Sequence, residues 1–339
     1  MSKNLKIIMA VIGIGLLLLN GCKKEEEEEA VQLQEIKILS VVPDEDFSST
    51  GEFSMHIIPQ TTSGGVYFPS EKDIIFKNII VFADTTFSDT LTQYNGSTID
   101  IISVINNQPS GNLIAVALNM DGSGSMNWND STRERVKAAK EFIRKLISHN
   151  TSHKAAIFEF TTRFAELYKM WADFTSVVDT PTLFSALDSV GQEGGTPLYY
   201  STYHIVNYMD TCSKISNLDK NVLVLTDGED TYGIIGLDSL ITTAQNKKIK
   251  LFAIGFGDAV DRVLEKMTSQ TGGIFAHADS AGALQEVFDA MVIGLTQGSN
   301  ILKLKFVPPQ NQPIPPSGSV IKGTIEILGK EADWYLRVK

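Results

Sequence analysis

Between residues 112 and 298, continuous apolar runs alternate with amphipathic stretches, and this alternation most narrows what the chain can fold into. Residues 113–119, 153–161, 221–225 and 250–256 read as strands, 274–276 as a short one and 166–174 as a weaker one suited to an edge. Between them, residues 132–148, 180–190, 197–211, 237–248, 260–271 and 284–295 read as helices. In the first of these, Val136, Ala139, Phe142, Ile143 and Ile147 share one stripe. Apolar strands separated by helices specify a mostly parallel sheet covered on both faces. Right-handed crossovers make it doubly wound, so the expected class is α/β and Rossmann-like.

The flanks differ. Residues 36–42, 53–58, 74–82 and 99–105 are short β-like runs separated by Gly, Pro, Ser, Asn and Asp, with no convincing helix among them. After residue 299 the β character returns in 302–307, in the alternating 320–327 and in 334–338, with a stiff proline-rich connector at 308–316. A C-terminal piece of this size buries too little to stand alone. The expectation is one all-β sandwich built from residues 35–110 and 299–339, with an α/β domain, residues 111–298, inserted between them.

The N-terminus reads as a targeting segment. Lys3 and Lys6 precede an apolar stretch of 13 residues, 7–19, too short for a comfortable span. Leu19-Asn20-Gly21-Cys22 resembles the bacterial lipobox, which implies a signal peptide over residues 1–21 and lipid on Cys22. An ordinary secretory signal with an incidental cysteine is the alternative. Residues 22–34, with Lys23-Lys24 before Glu25 to Glu29, read as an acidic solvated tether. The same stretch resembles an export signal for the outer face of the outer membrane, which places the chain as an outer-membrane lipoprotein, surface-exposed in that reading. With Cys22 lipidated, Cys212 is the one remaining cysteine and has no disulfide partner, so the core must hold the fold. Cys212 is expected to be buried at a helix end.

Of the 339 residues, 43% are hydrophobic and 20% charged, which fits a chain with a substantial core. The net charge of −11, or −13 once residues 1–21 are removed, argues against nucleic acid as a partner.

The first strand of the inserted domain ends in Asp121-Gly122-Ser123-Gly124-Ser125. Ligands of doubly wound sheets bind beyond the carboxyl ends of strands, where the strand order reverses. Two other loops are expected there: Gly194-Gly195-Thr196-Pro197 before a helix, and Thr226-Asp227-Gly228-Glu229-Asp230 after an apolar strand. Asp121, Ser123, Ser125, Thr196 and Asp227 are all oxygen donors, which suits a hard divalent cation and leaves a coordination position for an outside ligand. The glycines are expected to let the backbone wrap closely around the ion. Read as a calcium loop, the stretch has Met126 in the glycine position and Thr132 in the glutamate position, so that reading fails. Neither a dinucleotide fingerprint nor a nucleophile elbow is present. A strand-ending turn with capping serines is the remaining structural alternative.

The order Asp121-x-Ser123-x-Ser125, then Thr196, then Asp227 resembles the metal-ion-dependent adhesion site (MIDAS) of von Willebrand factor A (vWA) domains. Ile254-Gly255-Phe256-Gly257-Asp258 resembles that family's next strand end. The resemblance covers about residues 110–298 and not the flanks. It implies Mg²⁺ as the ion, with Mn²⁺ or Ca²⁺ as alternatives. Ser123, Ser125 and Thr196 then bind directly or nearly so, and Asp121 and Asp227 often through water. It also implies a non-enzymatic role: binding a protein whose exposed Asp or Glu completes the metal shell, on a membrane anchor at Cys22. The alternatives are a scaffold subunit of an envelope assembly and a metal-dependent hydrolase. The hydrolase is disfavoured because no nucleophile and base are paired, although Glu229 and Asp230 lie near the site. His56, His149, His153, His204 and His277 read as scattered surface or core residues. In some family members the last helix slides and changes the metal shell; residues 284–295 match that helix.

Overall fold

A computed structural model describes residues 31–257 and 260–338. The leader, Cys22, the glutamate run and Asp258 lie outside the described residues. In the N-terminal flank the apolar runs form β1 (Leu33–Pro43), β2 (Glu52–Thr61), β3 (Ile74–Phe82) and β4 (Thr98–Asn107). Contrary to expectation, the flank also holds helical turns: α1 (Phe47–Thr50), closed by Gly51 at φ +74°, and two 3-10 turns at Glu71–Asp73 and Thr92–Tyr94.

The alternating segment follows as β5 (Ile114–Asp121), α2 (Met126–Asn129), α3 (Glu134–His149), β6 (Lys154–Phe160), β7 (Tyr168–Ser176), α4 (Thr180–Asp188) and α5 (Leu198–Thr211). It continues as β8 (Asp219–Thr226), α6 (Leu237–Asn246), β9 (Lys250–Phe256), α7 (Asp261–Ser269), β10 (Phe275–Ala278) and α8 (Leu284–Gln297). Its six strands form one sheet in the order β10-β9-β8-β5-β6-β7, parallel except for the antiparallel edge strand β7. Every residue of β5 is buried. Its side chains alternate between two cores: Val116, Leu118 and Met120 pack with α3, α4 and α8, and Ala115 and Ala117 with α5, α6 and α7. β5 leads on to β6 at one side, and the chain later returns to β8 at the other, so the strand order reverses at β5. Cys212 caps the end of α5, buried.

The chain closes with β11 (Ser299–Val307), β12 (Val320–Ile327) and β13 (Lys330–Arg337). β11 lies between β2 and β4 in a four-stranded antiparallel sheet, and β12 lies between β3 and β13 in a three-stranded one. The two sheets share a core in which Phe53, Met55 and Phe306 meet Ile321, Ile325 and Trp334. β13 starts four residues before the expected Trp334. Leu328 (φ +49°) and Gly329 (φ +76°) form a two-residue hairpin turn, and the polar run that follows is the exposed start of an edge strand.

β1 joins the two parts. Leu39 enters one core of the α/β sheet and Val42 the other. Ser40 Oγ donates to the Phe275 carbonyl (3.0 Å), and the Phe275 N–H donates to His56 Nδ1 (3.3 Å). The edge strand β10 is thus covered rather than exposed. Behind it, Lys303 of β11 pairs with Glu265 of α7 at 3.0 Å, next to the fully buried His56. Burial lowers the His56 pKa, against the opposing effect of Glu265.

Candidate functional site

Asp121, the last residue of β5, is fully buried. Its Oδ1 accepts from the Ser123 N–H (2.8 Å) and its Oδ2 from Thr226 Oγ1 (2.7 Å). The Ser123 and Ser125 hydroxyls lie 3.0 Å apart, and Ser125 donates to Asp227 Oδ1 at 2.7 Å. Asn129 Nδ2 donates to the other Asp227 oxygen at 2.9 Å. Asp227 is buried although it lies just beyond β8. Thr196, also buried, is held to the other two loops through its own loop's main chain. The Gly124 N–H donates to the Gly194 carbonyl (2.8 Å) and the Glu193 N–H to the Gly122 carbonyl (2.7 Å). The Thr231 N–H donates to the Thr196 carbonyl (2.9 Å), and the Thr196 N–H to Thr231 Oγ1 (3.0 Å). All five residues singled out in the sequence therefore sit where β5 and β8 end, at the reversal of strand order.

The local electrostatics are one-sided. Burial, then the charge of Asp227, pushes the Asp121 pKa up to about 6, against hydrogen bonds from Ser123 and Thr226. Burial, then the charges of Asp230 and Glu229, pushes Tyr199 up to about 12. Asp230 is engaged on both oxygens: Oδ1 accepts from the Tyr199 N–H at the start of α5 (2.9 Å) and Oδ2 from the Gly233 N–H of its own loop (2.8 Å). Those bonds leave it poorly placed to act as a base.

A second group of residues fixes these loops and is not singled out by the sequence. Glu159 of β6 is fully buried and accepts from Arg163 Nη2 (2.8 Å), Trp171 Nε1 (2.7 Å) and the Gly191 N–H (3.0 Å). A Cβ on Gly122 would overlap the Glu159 carboxylate. Gly194 adopts φ +90°, where a Cβ would overlap Thr161. Gly122 thus makes room for a buried carboxylate behind the loop, and Gly194 adopts a left-handed turn. Arg135, fully buried and paired with buried Asp130, donates to the Gly191 carbonyl at 2.8 Å. Asn119 of β5 donates to Ser201 Oγ (3.0 Å) and Thr202 Oγ1 (3.1 Å), fixing α5 just behind Thr196. The available signals are a charge inside an apolar strand for Glu159 and Asn119's polarity in β5. Asn129 and Thr226 carry no sequence signal beyond adjacency.

The reading of the histidines as unrelated is also corrected. His149 and His153 stack, with ring centroids 5.5 Å apart and His149 Nδ1 3.3 Å from His153 Nε2. His153 Nδ1 accepts from the Ile114 N–H at 3.2 Å, so this pair braces the start of β5, at the opposite end from Asp121.

Among the described residues, no group of three or more His, Cys, Asp or Glu side chains is placed to hold a metal. The donors at this site are two carboxylates and three hydroxyls, a hard-cation set. In octahedral Mg²⁺ sites, oxygens about 2.1 Å from the ion lie about 3 Å from their neighbours. The 3.0 Å between Ser123 Oγ and Ser125 Oγ matches that separation. The chemistry of the donor set fits such an ion.

The profile of the von Willebrand factor type A domain matches residues 115–290, more than half of the chain, from β5 into α8. This chain belongs to the vWA family. No curated protein matches its sequence. Among solved structures, it resembles proximal thread matrix protein 1 from the mussel byssus, at 17% identity and a TM-score of 0.44. That match covers 62% of this chain and 50% of the mussel protein, so this chain spans half the length of that relative. It also resembles a von Willebrand factor type A protein from Catenulispora acidiphila (12% identity, 92% of this chain, 74% of that chain, TM-score 0.45). A third is the vWF domain of the type V pili tip protein Mfa5 from Porphyromonas gingivalis (13% identity, 56% of this chain, 98% of that chain, TM-score 0.41).

Proposed function

We propose that the vWA domain binds a protein partner through a divalent cation, Mg²⁺ first, held by Asp121, Ser123, Ser125, Thr196 and Asp227 in the MIDAS manner. The observation that carries this reading is the hydroxyl pair Ser123–Ser125 at 3.0 Å, hydrogen-bonded to Asp227 and flanked by the buried carboxylate of Asp121. The cation, when bound, supplies the positive charge that a carboxylate from the partner needs. Asp121 and Asp227 neutralise part of that charge, and the two serines and Thr196 orient neutral oxygens toward it. Asn129 and Thr226 hold the two carboxylates in place from behind. Asp230 is engaged on both oxygens by the Tyr199 and Gly233 N–H groups, which favours binding over hydrolysis.

Among the described residues, no helix is long and apolar enough to cross a membrane. The proposed attachment is lipid on Cys22, which places the domain at the outer membrane. The scaffold reading differs in the partner alone: a stoichiometric subunit of the producer's own envelope instead of an external protein. The test of function is retention of proteins on the immobilised chain with Mg²⁺, with EDTA and with Asp121→Ala. Retention lost in both of the latter is the expected result, and retention unchanged by both contradicts the reading. Protease shaving of intact cells separates the surface from the periplasmic face.

A further inference from the structure

The loops that bear the site, residues 121–130, 191–197 and 227–236, contain no Lys, Arg or His. They contain six acidic residues: Asp121, Asp130, Glu193, Asp227, Glu229 and Asp230. Glu193 and Glu229 are exposed. The same loops display large apolar side chains to solvent: Trp128 is 84% exposed, Ile234 56% and Tyr232 44%. Trp128 lies one turn past Ser125, its N–H bonded to the Ser125 carbonyl (2.9 Å), and its neighbour Asn129 holds Asp227. Tyr232 follows Thr231, which exchanges two hydrogen bonds with Thr196. Two of the three loops thus carry an apolar side chain at the border of the donors. Tryptophan and tyrosine dominate binding energy when an interface buries them, and exposed apolar groups beside a polar centre mark such surfaces.

We propose that Trp128, Tyr232 and Ile234 form an apolar rim around the cation site and that the partner segment has a matching chemistry. It carries a single Asp or Glu, apolar or aromatic side chains within a few residues of it, and otherwise neutral or basic residues. One carboxylate meets the cation. Further carboxylates would face Glu193 and Glu229, and like charges across an interface reject a partner. This inference rests on the metal-dependent binding proposed above.

The test uses a phage-displayed library of random dodecapeptides, panned on the full chain with Mg²⁺ and eluted with EDTA. The eluted peptides are expected to share one acidic residue, an aromatic or aliphatic neighbour and a basic excess elsewhere. A synthetic peptide of that sequence should bind Trp128→Ala about tenfold or more weakly while remaining sensitive to EDTA, as expected for a buried aromatic anchor. Trp128 supports no core, so the variant keeps its fold. Eluted peptides with the acid but no apolar enrichment, or equal affinity for Trp128→Ala, overturn the rim and leave the metal site standing. If the wild type yields no more EDTA-eluted peptides than Asp121→Ala does, the metal-dependent reading itself falls, and the rim with it.

Discussion

Asp121 is held in a place that disfavours its charge. In the folded, metal-free chain its pKa is raised to about 6, against 3.8 ordinarily. The folded state therefore binds the proton more tightly than the unfolded state between these values, and the slope of stability with pH is negative there. Metal-free stability from this residue is fully present below about pH 4 and is lost as pH rises through about 6. Mg²⁺ competes with that proton, so its affinity should fall as pH drops through about 6. Two measurements check this: denaturant midpoints between pH 4 and 7 without metal, and Mg²⁺ titrations over the same range. Asp121→Asn should raise metal-free stability at pH 7, flatten the slope and abolish the response to Mg²⁺. A variant less stable than wild type at pH 7 without metal would contradict the electrostatic assignment. The five candidate residues are legible in the sequence because their types and order are a pattern. Glu159, Arg135 and Asn129 are not, because they act through buried contacts with residues far along the chain. Glu159 and Arg163 meet the Gly191 loop only once the fold is made.

At the scale of elements, the site is a set of loop ends clamped by buried polar side chains. Arg135 and Asp130 are both fully buried, so Arg135→Ala leaves a charge without its partner and should cost about 3–5 kcal/mol in chemical denaturation. Glu159→Ala strands Trp171 Nε1 and the Gly191 N–H and should cost about 2 kcal/mol. It should also weaken Mg²⁺ binding, since Gly122 and the Thr196 loop both lean on this carboxylate. Unchanged Mg²⁺ affinity in a folded Glu159→Ala chain would show that the clamp does not position the donors. The helices and strands of the α/β part are legible because each has one period and one burial pattern, as the fully apolar β5 shows. The early start of β13 is hidden because Lys330, Glu331 and Asp333 line an exposed edge strand, where the apolar alternation fades. The turns at Phe47, Glu71 and Thr92 are too short to show any period.

On the scale of the whole molecule, the inserted vWA domain rests on a sandwich to which the C-terminal segment supplies one inner strand in each sheet. β11 and β12 are each flanked on both sides by other strands, so neither sheet is complete without them. Deleting residues 299–338 should therefore unfold the N-terminal flank as well, seen as proteolytic cleavage within residues 33–107. Persistent protection of that region would contradict the shared core. Glu265 joins the two parts. Burial raises its pKa, but His56, whose Nε2 lies 3.7 Å away, and the charge and hydrogen bond of Lys303 outweigh that and hold it at about 2. For this lowered carboxyl, stability is present above about 4.5 and is lost as pH falls toward 2, so Lys303→Ala should weaken the chain most at neutral pH and least in acid.

The direct test of the cation site is a calorimetric and thermal titration of the metal-free full chain with Mg²⁺, beside Asp121→Ala and Asp227→Ala. The expected result is saturable binding by the wild type, with a rise in Tm that EDTA reverses and that neither variant shows. At about one hundred times Kd, the stabilisation should be about 2.7 kcal/mol. Absence of Mg²⁺ binding by the wild type, or equal binding by the two variants, would contradict the assignment of these five residues.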